Sequence, residues 1–597
     1  MSKLSKFKLN YNWSTARSDL VAGATVAAIA VPQAIAYALI AGVDPKFGLY
    51  SAIIVTIVAS ILGSSSHLIN GPTNAISLVV FSILAPFDGK FDAYQALFLL
   101  GIIIGTIQIL ISVFKLGDLT RYVSESVVLG FMAGAGLLIG VGQIGNFLGL
   151  ASKGTGDQSV LVRTWLTLTQ GGHLNNYAIG LGVSTVIVVV LLRKLINKYK
   201  LPRVDMLVGL ILFSAVAIYF GWTAATPSGK TIVSVVGSVP AALPSFHIPE
   251  IKFAWIAKLL SGALAAALLG LLEALAVAKS ISTYTRQPLD YNRQILAEGV
   301  GNIFGGFFQS LPGSGSLTRS AINYQSGAVT RASGIYSGII VAIVVVVLGP
   351  YARFIPKSVL AGLLFITAAR LIDWKRLAYA IRASKFDAAL VAATAFTAIF
   401  ISVEDSILVG VGLSILLFVP RTAKPGIREL IVTDERVVRE RQPGEERAKS
   451  VLIYDLEGEL FFGAAPELDR YLTQIKEETT RTGIKYVVLR LRRTRNPDVV
   501  AAEHLEHFLH DSEKRGVTVL LAGLRPDFVK LLTNLRFKAW LPDDRIFPEE
   551  NKVFSATLRA VRHAYQLARK SEANTVTGTA ALAPEHNEEK EPAYYLV

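Results

Sequence analysis

Long apolar runs, separated by short polar loops, dominate the first two thirds of the chain. The runs at residues 20–40, 96–113, 178–192 and 338–348 with its flanks are of the kind that crosses a bilayer. Several runs are shorter than a full span, which indicates broken helices or helices buried by other helices. The pattern predicts a polytopic α-helical membrane domain with about fourteen segments.

The pattern changes near Pro420, where densely charged sequence replaces the apolar runs. Beyond residue 450, the strand-like segments VLIYDLEGELFFG, YVVLRLR and VTVLLAGLR alternate with the amphipathic segments APELDRYLTQIKEE and AAEHLEHFLHDSEKR. This alternation indicates a small α/β domain. We expect a transmembrane domain at 1–420, a linker at 421–449, the α/β domain at 450–567 and a disordered tail at 568–597.

Charge and composition support this division. The chain is 52% hydrophobic and 17% charged, with a formal net charge of +15. Such a charge alone suggests nucleic acid, but Lys and Arg gather in the cytoplasmic loops of membrane proteins, so we expect lipid and no nucleic acid. The basic amino terminus and the stretch RTAKPGIRELI after the last run place both ends in the cytoplasm. The absence of cysteine excludes disulfides and thiolate metal sites.

Two polar breaks interrupt the membrane domain, NGPTNAISLVV at residues 70–80 and PGSGSLTRSAIN at residues 312–323. Each contains Gly and Pro and leads into a short segment. Non-helical backbone at membrane depth must be buried in protein or line a cavity. A matched pair of interrupted segments in two halves is typical of inverted-repeat transporters, with the binding site between the repeats.

The residues of the two breaks suit an anion. Pro72 and Pro312 stop helices, so the short helices that follow begin with unpaired N–H groups at the positive end of a helix dipole. Neutral hydroxyls, flexible backbone and one permanent charge stand beside these helix starts: Thr73, Ser314, Ser316, Thr318, Gly313, Gly315 and Arg319. The alternative is that the small residues only permit tight packing and that Arg319 snorkels or pairs with a carboxylate.

Glu273 lies among leucines and alanines in LLGLLEALAVAKSIS. An intramembrane carboxylate is expensive, so we predict a proton relay or an ion pair with Arg319, with a fixed structural pair as the alternative. In the first run, Gln33 and Tyr37 of VPQAIAYAL are one helical turn apart on one face. They are either walls of the site or ordinary packing residues.

Several segments together resemble the SulP anion permeases, a family that includes bacterial sulfate and bicarbonate transporters. They are VPQAIAYALIAGVDPKFGLYSA, NGPTNAISL, LLEALAVAKSIS, QILAEGVGNIFGGFFQSLPGSGSLTRSAIN and the carboxy-terminal α/β domain. The resemblance implies about fourteen segments in two inverted repeats of about seven, divided into core and gate domains. It also implies a cytoplasmic STAS domain, a homodimer in the plasma (inner) membrane and elevator-type alternating access for a small inorganic anion.

The resemblance also assigns roles to residues. It places the anion between the starts of the third and tenth segments, with Gln33 and Tyr37 facing it. It places Arg319 at the rim of the site and Glu273 at a position linked to cation coupling. The residues that flank the anion are Thr73 and Asn74 on one side and Ser316, Leu317 and Thr318 on the other.

Two departures from the family pattern affect these expectations. Sodium-dependent bicarbonate members carry an Asp followed one turn later by a hydroxyl residue, whereas here Glu273 is followed by Val277. This favours proton symport of sulfate or a similar small oxyanion.

In the STAS domain, Asp498 is followed by Val499, Val500 and Ala501 rather than by a Ser or Thr. The phosphorylation switch of related domains is therefore expected to be absent.

Other functions stay open at this point. A sodium-dependent bicarbonate transporter is the second hypothesis, and an anion exchanger, channel-like protein or electromechanical motor is the third. An enzyme is not supported, because the eight histidines form no metal-spaced cluster and no nucleophile and base stand together. We therefore expect no catalytic residue, no metal site and no cofactor.

Overall fold

The computed structural model divides the chain into two compact units, Met1–Ile415 and Leu416–Val597. The structure describes residues 11–87, 89–115, 124–155, 158–199, 204–224, 231–237, 239–285, 287–422, 424–433, 437–445, 450–550, 555–576 and 595–596.

The described residues of the first unit form helices, one short ribbon of two strands and an isolated β-bridge between Val235 and Pro356. Its helices, the last of which crosses the unit boundary, are α1 (Trp13–Ile40), α2 (Pro45–Leu62), α3 (Asn74–Leu84), α4 (Lys90–Val113), α5 (Glu125–Leu148), α6 (Val160–Gln170), α7 (Asn176–Tyr199), α8 (Asp205–Tyr219), α9 (Phe253–Thr285), α10 (Tyr291–Phe307), α11 (Leu317–Gln325), α12 (Ala332–Leu348), α13 (Lys357–Leu371), α14 (Trp374–Ala383), α15 (Lys385–Phe400) and α16 (Val403–Thr422). The ribbon consists of β1 (Asn70–Gly71) and β2 (Ser314–Gly315).

Among the described residues, seven helices are long and apolar enough to cross a membrane: α1, α2, α4, α5, α7, α9 and α12. Helices α3 and α8 are apolar but shorter, and α11 has only nine residues. A helix of that length spans less than half of a bilayer core of about 30 Å. The short helices α3 and α11 follow the two polar breaks, as the sequence predicts, while the count of about fourteen segments stays a prediction.

Helices α4 and α10 approach each other closely because glycines line their contact. A Cβ built on Gly299 would lie 2.8 Å from the carbonyl oxygen of Gly105, and one on Gly306 would lie 2.6 Å from that of Phe98. Small residues are the usual means by which membrane helices bring their backbones together. The close contact also allows polar side chains of the two helices to bond directly.

The second unit is an α/β domain built on a seven-stranded sheet. Its elements are β3 (Gly426–Val432), β4 (Val437–Glu440), β5 (Val451–Glu459), α17 (Ala465–Thr482), β6 (Tyr486–Arg495), α18 (Val499–Lys514), β7 (Thr518–Leu524), α19 (Pro526–Asn534), β8 (Ile546–Pro548), α20 (Ser555–Val576) and β9 (Tyr595–Leu596). The strand order is β8-β7-β6-β5-β3-β4-β9, and β5 to β8 run parallel.

Helices cover both faces of this sheet. One apolar cluster joins the sheet to α17, α18 and α19, and another joins it to α20. Strands β3 and β4 lie within residues 421–449, for which the sequence predicts a linker, and α20 continues to Val576, beyond the predicted domain end at 567. Most of the predicted tail, residues 577–594, lies outside the described residues.

A buried ion pair joins the two central strands of the sheet. Asp455 on β5 and Arg490 on β6 are register partners, and Nη1 of Arg490 donates to Oδ2 of Asp455 at 2.8 Å. Both side chains are buried. Burial raises the pKa of the Asp455 carboxyl, although the positive charge of Arg490 acts to lower it. Burial likewise lowers the pKa of Arg490, although Asp455 acts to raise it. The positive charge of Arg490 and, at 3.8 Å, that of Arg493 favour the ionised form of Asp455, and Asp455 favours the charged form of Arg490.

We predict that Asp455→Asn destabilises the sheet by about 3–5 kcal/mol, because it leaves the Arg490 guanidinium buried without its anion. Hydrogen exchange of β5 and β6 in the full-length protein measures the effect as faster local opening. The control is Asp511→Asn, which removes a more exposed pair with Lys476 and is expected to cost no more than about 1 kcal/mol. Equal exchange in the two variants would contradict the prediction.

Candidate functional site

The two polar breaks meet in the structure and pair as the antiparallel ribbon β1–β2. Asn70 lies opposite Gly315 and Gly71 lies opposite Ser314. The N–H of Ser316 extends the ribbon by donating to the carbonyl oxygen of Ile69 at 2.9 Å. Because the strands are antiparallel, α3 and α11 leave the ribbon in opposite directions, each with its amino-terminal end toward it. The breaks thus satisfy each other's backbone groups inside the unit.

Glycines permit this close approach. Gly71 has a φ of 140°, which favours glycine over residues with a side chain. A Cβ built on Gly313 would lie 2.7 Å from the carbonyl carbon of Gly71, and one built on Gly315 would lie 2.7 Å from the Cα of Ala274 on α9. The sequence predicts that Gly313 and Gly315 let the backbone approach a ligand closely. In the structure, the groups that approach these two glycines are the backbone atoms of Gly71 and Ala274.

Side chains cap both short helices. At the start of α3, Oγ1 of Thr73 accepts a hydrogen bond from the N–H of Ile76 at 3.3 Å. Oδ1 of Asn74 accepts one from the N–H of the following residue, Ala75, at 3.0 Å. At the start of α11, Oγ of Ser316 accepts from the N–H of Arg319 at 3.4 Å. Thr73 and Ser316 thus occupy equivalent N-cap positions, where Ser and Thr are strongly preferred.

The first two N–H groups of α11 stay open. In the part of the chain that the structure describes, the N–H groups of Leu317 and Thr318 have no hydrogen-bond acceptor. The residues are also accessible, and Leu317 is 59% exposed. Unpaired N–H groups at a helix start carry the positive end of the dipole, so this end of α11 can bind an anion.

Arg319 is buried rather than at the rim of the site, where the family resemblance places it. Its side chain is 1% exposed, and Nη2 donates to the carbonyl oxygen of Pro72 at 2.8 Å. A Cβ on Gly71 would lie 3.0 Å from its Nη1, so the guanidinium lies directly behind β1. Arg319 therefore links α11 to the segment that leads into α3, and it does not snorkel toward a membrane surface.

Glu273 of α9 contacts the cap of α3. Its Oε2 accepts a hydrogen bond from Oγ1 of Thr73 at 3.2 Å. The hydroxyl of Ser314 also interacts with this carboxylate, while Arg319, the predicted partner, acts on it electrostatically and forms no ion pair with it in the described part of the chain. The intramembrane carboxylate is thus connected to the first break through one hydroxyl.

Gln33 and Tyr37 lie on α1, and both side chains are buried. Both line a small cavity of about 10 Å³ together with Met206 of α8 and Leu363 of α13. Tyr37 also interacts electrostatically with Arg319 and Glu273, so it belongs to the polar cluster behind the ribbon. Their role toward a ligand stays a prediction.

Ser314 faces α9 instead of an open space. Its hydroxyl is fully buried and donates to the carbonyl oxygen of Gly270 at 2.8 Å. This bond holds β2 against α9. The hydroxyl proton of Ser314 is donated to Gly270. The role of Ser314 in ligand binding stays a prediction.

Three residues that the sequence analysis did not single out form a buried chain behind β2. Nε2 of Gln108 on α4 donates to Oε1 of Glu298 on α10 at 3.0 Å, and Asn302 donates to Oε1 of Gln108 at 2.9 Å. Asn302 also bonds the backbone of Gly313 in both directions. Glu298 could have been found from QILAEGVGNIFGGFF, because the rule that makes Glu273 notable applies equally to it.

Comparison with known proteins covers both units. A model of the sulfate permease family matches residues 17–394, and a model of the STAS domain matches residues 443–553. The sodium-independent sulfate anion transporter of Bos taurus is 29% identical over 560 residues, which cover 89% of this chain and 88% of the relative.

Solved structures show the same fold. The murine Solute Carrier 26 family member A9 anion transporter in the inward-facing state superposes with a TM-score of 0.81 at 21% identity, covering 94% of this chain and 93% of that one. The transmembrane domain of the cyanobacterial bicarbonate transporter BicA gives a TM-score of 0.58 at 25% identity, covering 68% and 98%. The predicted helical membrane fold with a carboxy-terminal STAS domain is confirmed.

We predict that Gly313→Ala weakens the binding of sulfate, because the new Cβ forces β2 away from Gly71. Overpacking of this kind costs about 1–3 kcal/mol, or about 5- to 150-fold in affinity if the bound state carries the whole cost. Binding of labelled sulfate to the purified protein in nanodiscs measures the effect. Gly180→Ala is the control, since a Cβ at that helical position meets no atom within 4 Å. Unchanged affinity in Gly313→Ala would show that the ribbon does not shape the site.

Proposed function

Because the chain belongs to the sulfate permease family, as its sequence motifs predict, we propose that it takes up sulfate or a similar small oxyanion together with protons. Membership of the family makes it an integral membrane transporter of sulfate or related anions. The choice of sulfate, the coupling to protons and the mechanism belong to the proposal. The anion binds between the starts of α3 and α11, and Glu273 carries the coupling proton.

One observation carries the proposal: the cap of α3 is bonded to a carboxylate. The hydroxyl of Thr73 accepts a hydrogen bond from the N–H of Ile76 and donates one to Glu273. One hydroxyl therefore contacts both the start of α3, beside the anion site, and the carboxyl group that binds the proton. Protonation of Glu273 removes a negative charge from beside the anion site. An anion then binds more readily, and this is the requirement for symport.

The anion itself is bound by neutral donors and a fixed cation in this proposal. The open N–H groups of Leu317 and Thr318 supply hydrogen bonds, and Arg319 supplies a positive field from behind the ribbon. The hydroxyl of the exposed Thr318 and the amide of the half-buried Asn74 complete the shell in this proposal. Such a site does not need the ligand to form a direct ion pair with a lysine.

Transport by elevator-type alternating access is part of the proposal, as are the inverted repeats, the homodimer and the plasma (inner) membrane with cytoplasmic ends. The ribbon supports the elevator, because it ties α3 and α11 into one body that can carry the anion as a whole. The basic amino terminus supports its cytoplasmic location.

The likeness to BicA raises bicarbonate with sodium as the second candidate. The surroundings of Val277 weigh against it. Val277 lies one turn after Glu273 in a buried apolar cluster with Leu68, Ala278 and Ile281, so the side chain at this position offers no oxygen to sodium. Hard cations require several oxygen ligands, so the proton is the better partner for this carboxylate.

We predict that Thr73→Val and Ser316→Ala weaken sulfate binding to a similar extent, because each removes the N-cap of one of the two helices that face the anion. Loss of a cap costs about 0.5–2 kcal/mol, or about 2- to 30-fold in affinity. The assay is the concentration dependence of sulfate uptake into proteoliposomes. Thr106→Val is the control, because that hydroxyl only bonds its own helix on α4. An effect confined to Ser316→Ala would refute the two-helix site.

A second prediction concerns coupling. Glu273→Gln should weaken the stimulation of sulfate uptake by an inward proton gradient but leave sulfate exchange across the membrane, because glutamine cannot release a proton. Glu250→Gln is the control, since Glu250 forms an exposed pair with Lys252. Uptake by the unaltered protein that ignores a pH gradient would overturn proton coupling, and sodium-driven bicarbonate uptake would favour the second candidate.

A further inference from the structure

A second carboxyl group, that of Glu298, lies deep in the membrane unit. Its side chain on α10 is 0% exposed, and Oε1 accepts from Nε2 of Gln108 at 3.0 Å. In the part of the chain that the structure describes, Oε2 has no hydrogen-bond partner. A bare carboxylate in a dry interior is far costlier than a neutral carboxyl group with one unused hydroxyl.

The elements packed against α10 offer no neutralising cation among the described residues. The charged side chain that acts on Glu298 is Glu273 of α9, and it has the same sign. The remaining described charged groups on these elements and on α10 itself lie near helix ends, are exposed or are bonded elsewhere: Lys46, Asp92, Lys258, Lys279, Asp290 and Arg293. Arg319 of α11 bonds the carbonyl oxygen of Pro72.

A chain of hydrogen bonds connects Glu298 to the ribbon. Oε1 of Gln108 accepts from Nδ2 of Asn302 at 2.9 Å. Asn302 then bonds both backbone groups of Gly313, accepting from its N–H at 2.8 Å and donating to its carbonyl oxygen at 3.0 Å. Gly313 directly precedes β2, and all of these groups are buried. A change at Glu298 therefore reaches the segment that leads into α11.

We propose that Glu298 is a second proton-binding residue, and that Gln108 and Asn302 couple its proton to β2 and thereby to the anion. The inference deepens the proposed function and rests on it for the identity of the anion. A neutral Glu298 leaves the hydrogen-bond chain intact and keeps a negative charge away from the site. Proton binding and anion binding therefore strengthen each other.

Infrared spectroscopy of the full-length protein in lipid tests the protonation directly. At neutral pH we expect a carbonyl band of a protonated carboxyl group that Glu298→Gln removes. Asp19→Asn is the control and should leave that band unchanged. Asp19 is equally buried, but its carboxyl oxygens accept three hydrogen bonds, from the N–H groups of Val329 and Thr330 and from the hydroxyl of Thr330. If Glu298→Gln leaves the spectrum in this region unchanged, Glu298 holds no proton and the inference is wrong.

The pH dependence of sulfate binding tests the coupling. Sulfate affinity should fall as the pH rises, by up to about tenfold per pH unit for each linked proton. In Glu273→Gln a dependence on one proton should remain, and it should disappear when Glu298→Gln is added. A pH-independent affinity in Glu273→Gln alone would overturn the coupling role. If the protein binds no sulfate, the proposed function fails, while the infrared measurement still decides whether Glu298 holds a proton.

Discussion

The membrane unit depends on the pairing of β1 with β2. Each unsatisfied backbone group at membrane depth costs several kcal/mol, so neither break could stay open without the other. Two residues on each side are enough, because Ser316 continues the pairing to Ile69 and Thr56 of α2 donates to the carbonyl oxygen of Asn70 at 2.7 Å. The same pairing determines the direction of both short helices. The location of the helix starts is thus a consequence of satisfying the backbone.

The buried charges are arranged around this ribbon. Arg319 bonds a carbonyl oxygen rather than a carboxylate, so its positive field is not cancelled by a bonded anion. Glu273 shares a hydroxyl with the cap of α3, and Glu298 bonds an amide. A bound oxyanion would therefore complete the charge balance of the region. This is a physical reason for binding an anion here that does not depend on the anion's identity.

Much of the site could be predicted from sequence, because Pro, Gly and hydroxyl residues mark a helix start locally. Thr73 and Ser316 are examples, and both are N-caps in the structure. The direct pairing of the breaks could not be predicted, since a two-residue ribbon has no periodic pattern. The burial of Arg319 also depends on the distant Pro72. In the second unit, β3 is a strand because it pairs with β5, although its own sequence is charged enough to suggest a linker.

The two halves of the site are alike in shape but differ in chemistry. Thr73 donates its hydroxyl proton to Glu273, whereas the contact recorded for the hydroxyl of Ser316 is the N–H that it caps. Glu298, in contrast, reaches the second break through Asn302 and the backbone of Gly313. One carboxyl group thus acts on a helix cap and the other on the strand before a helix. Because β1 and β2 are bonded to each other, a displacement of either strand moves both helix starts. In the proposed mechanism, two chemically separate proton sites therefore govern one anion site.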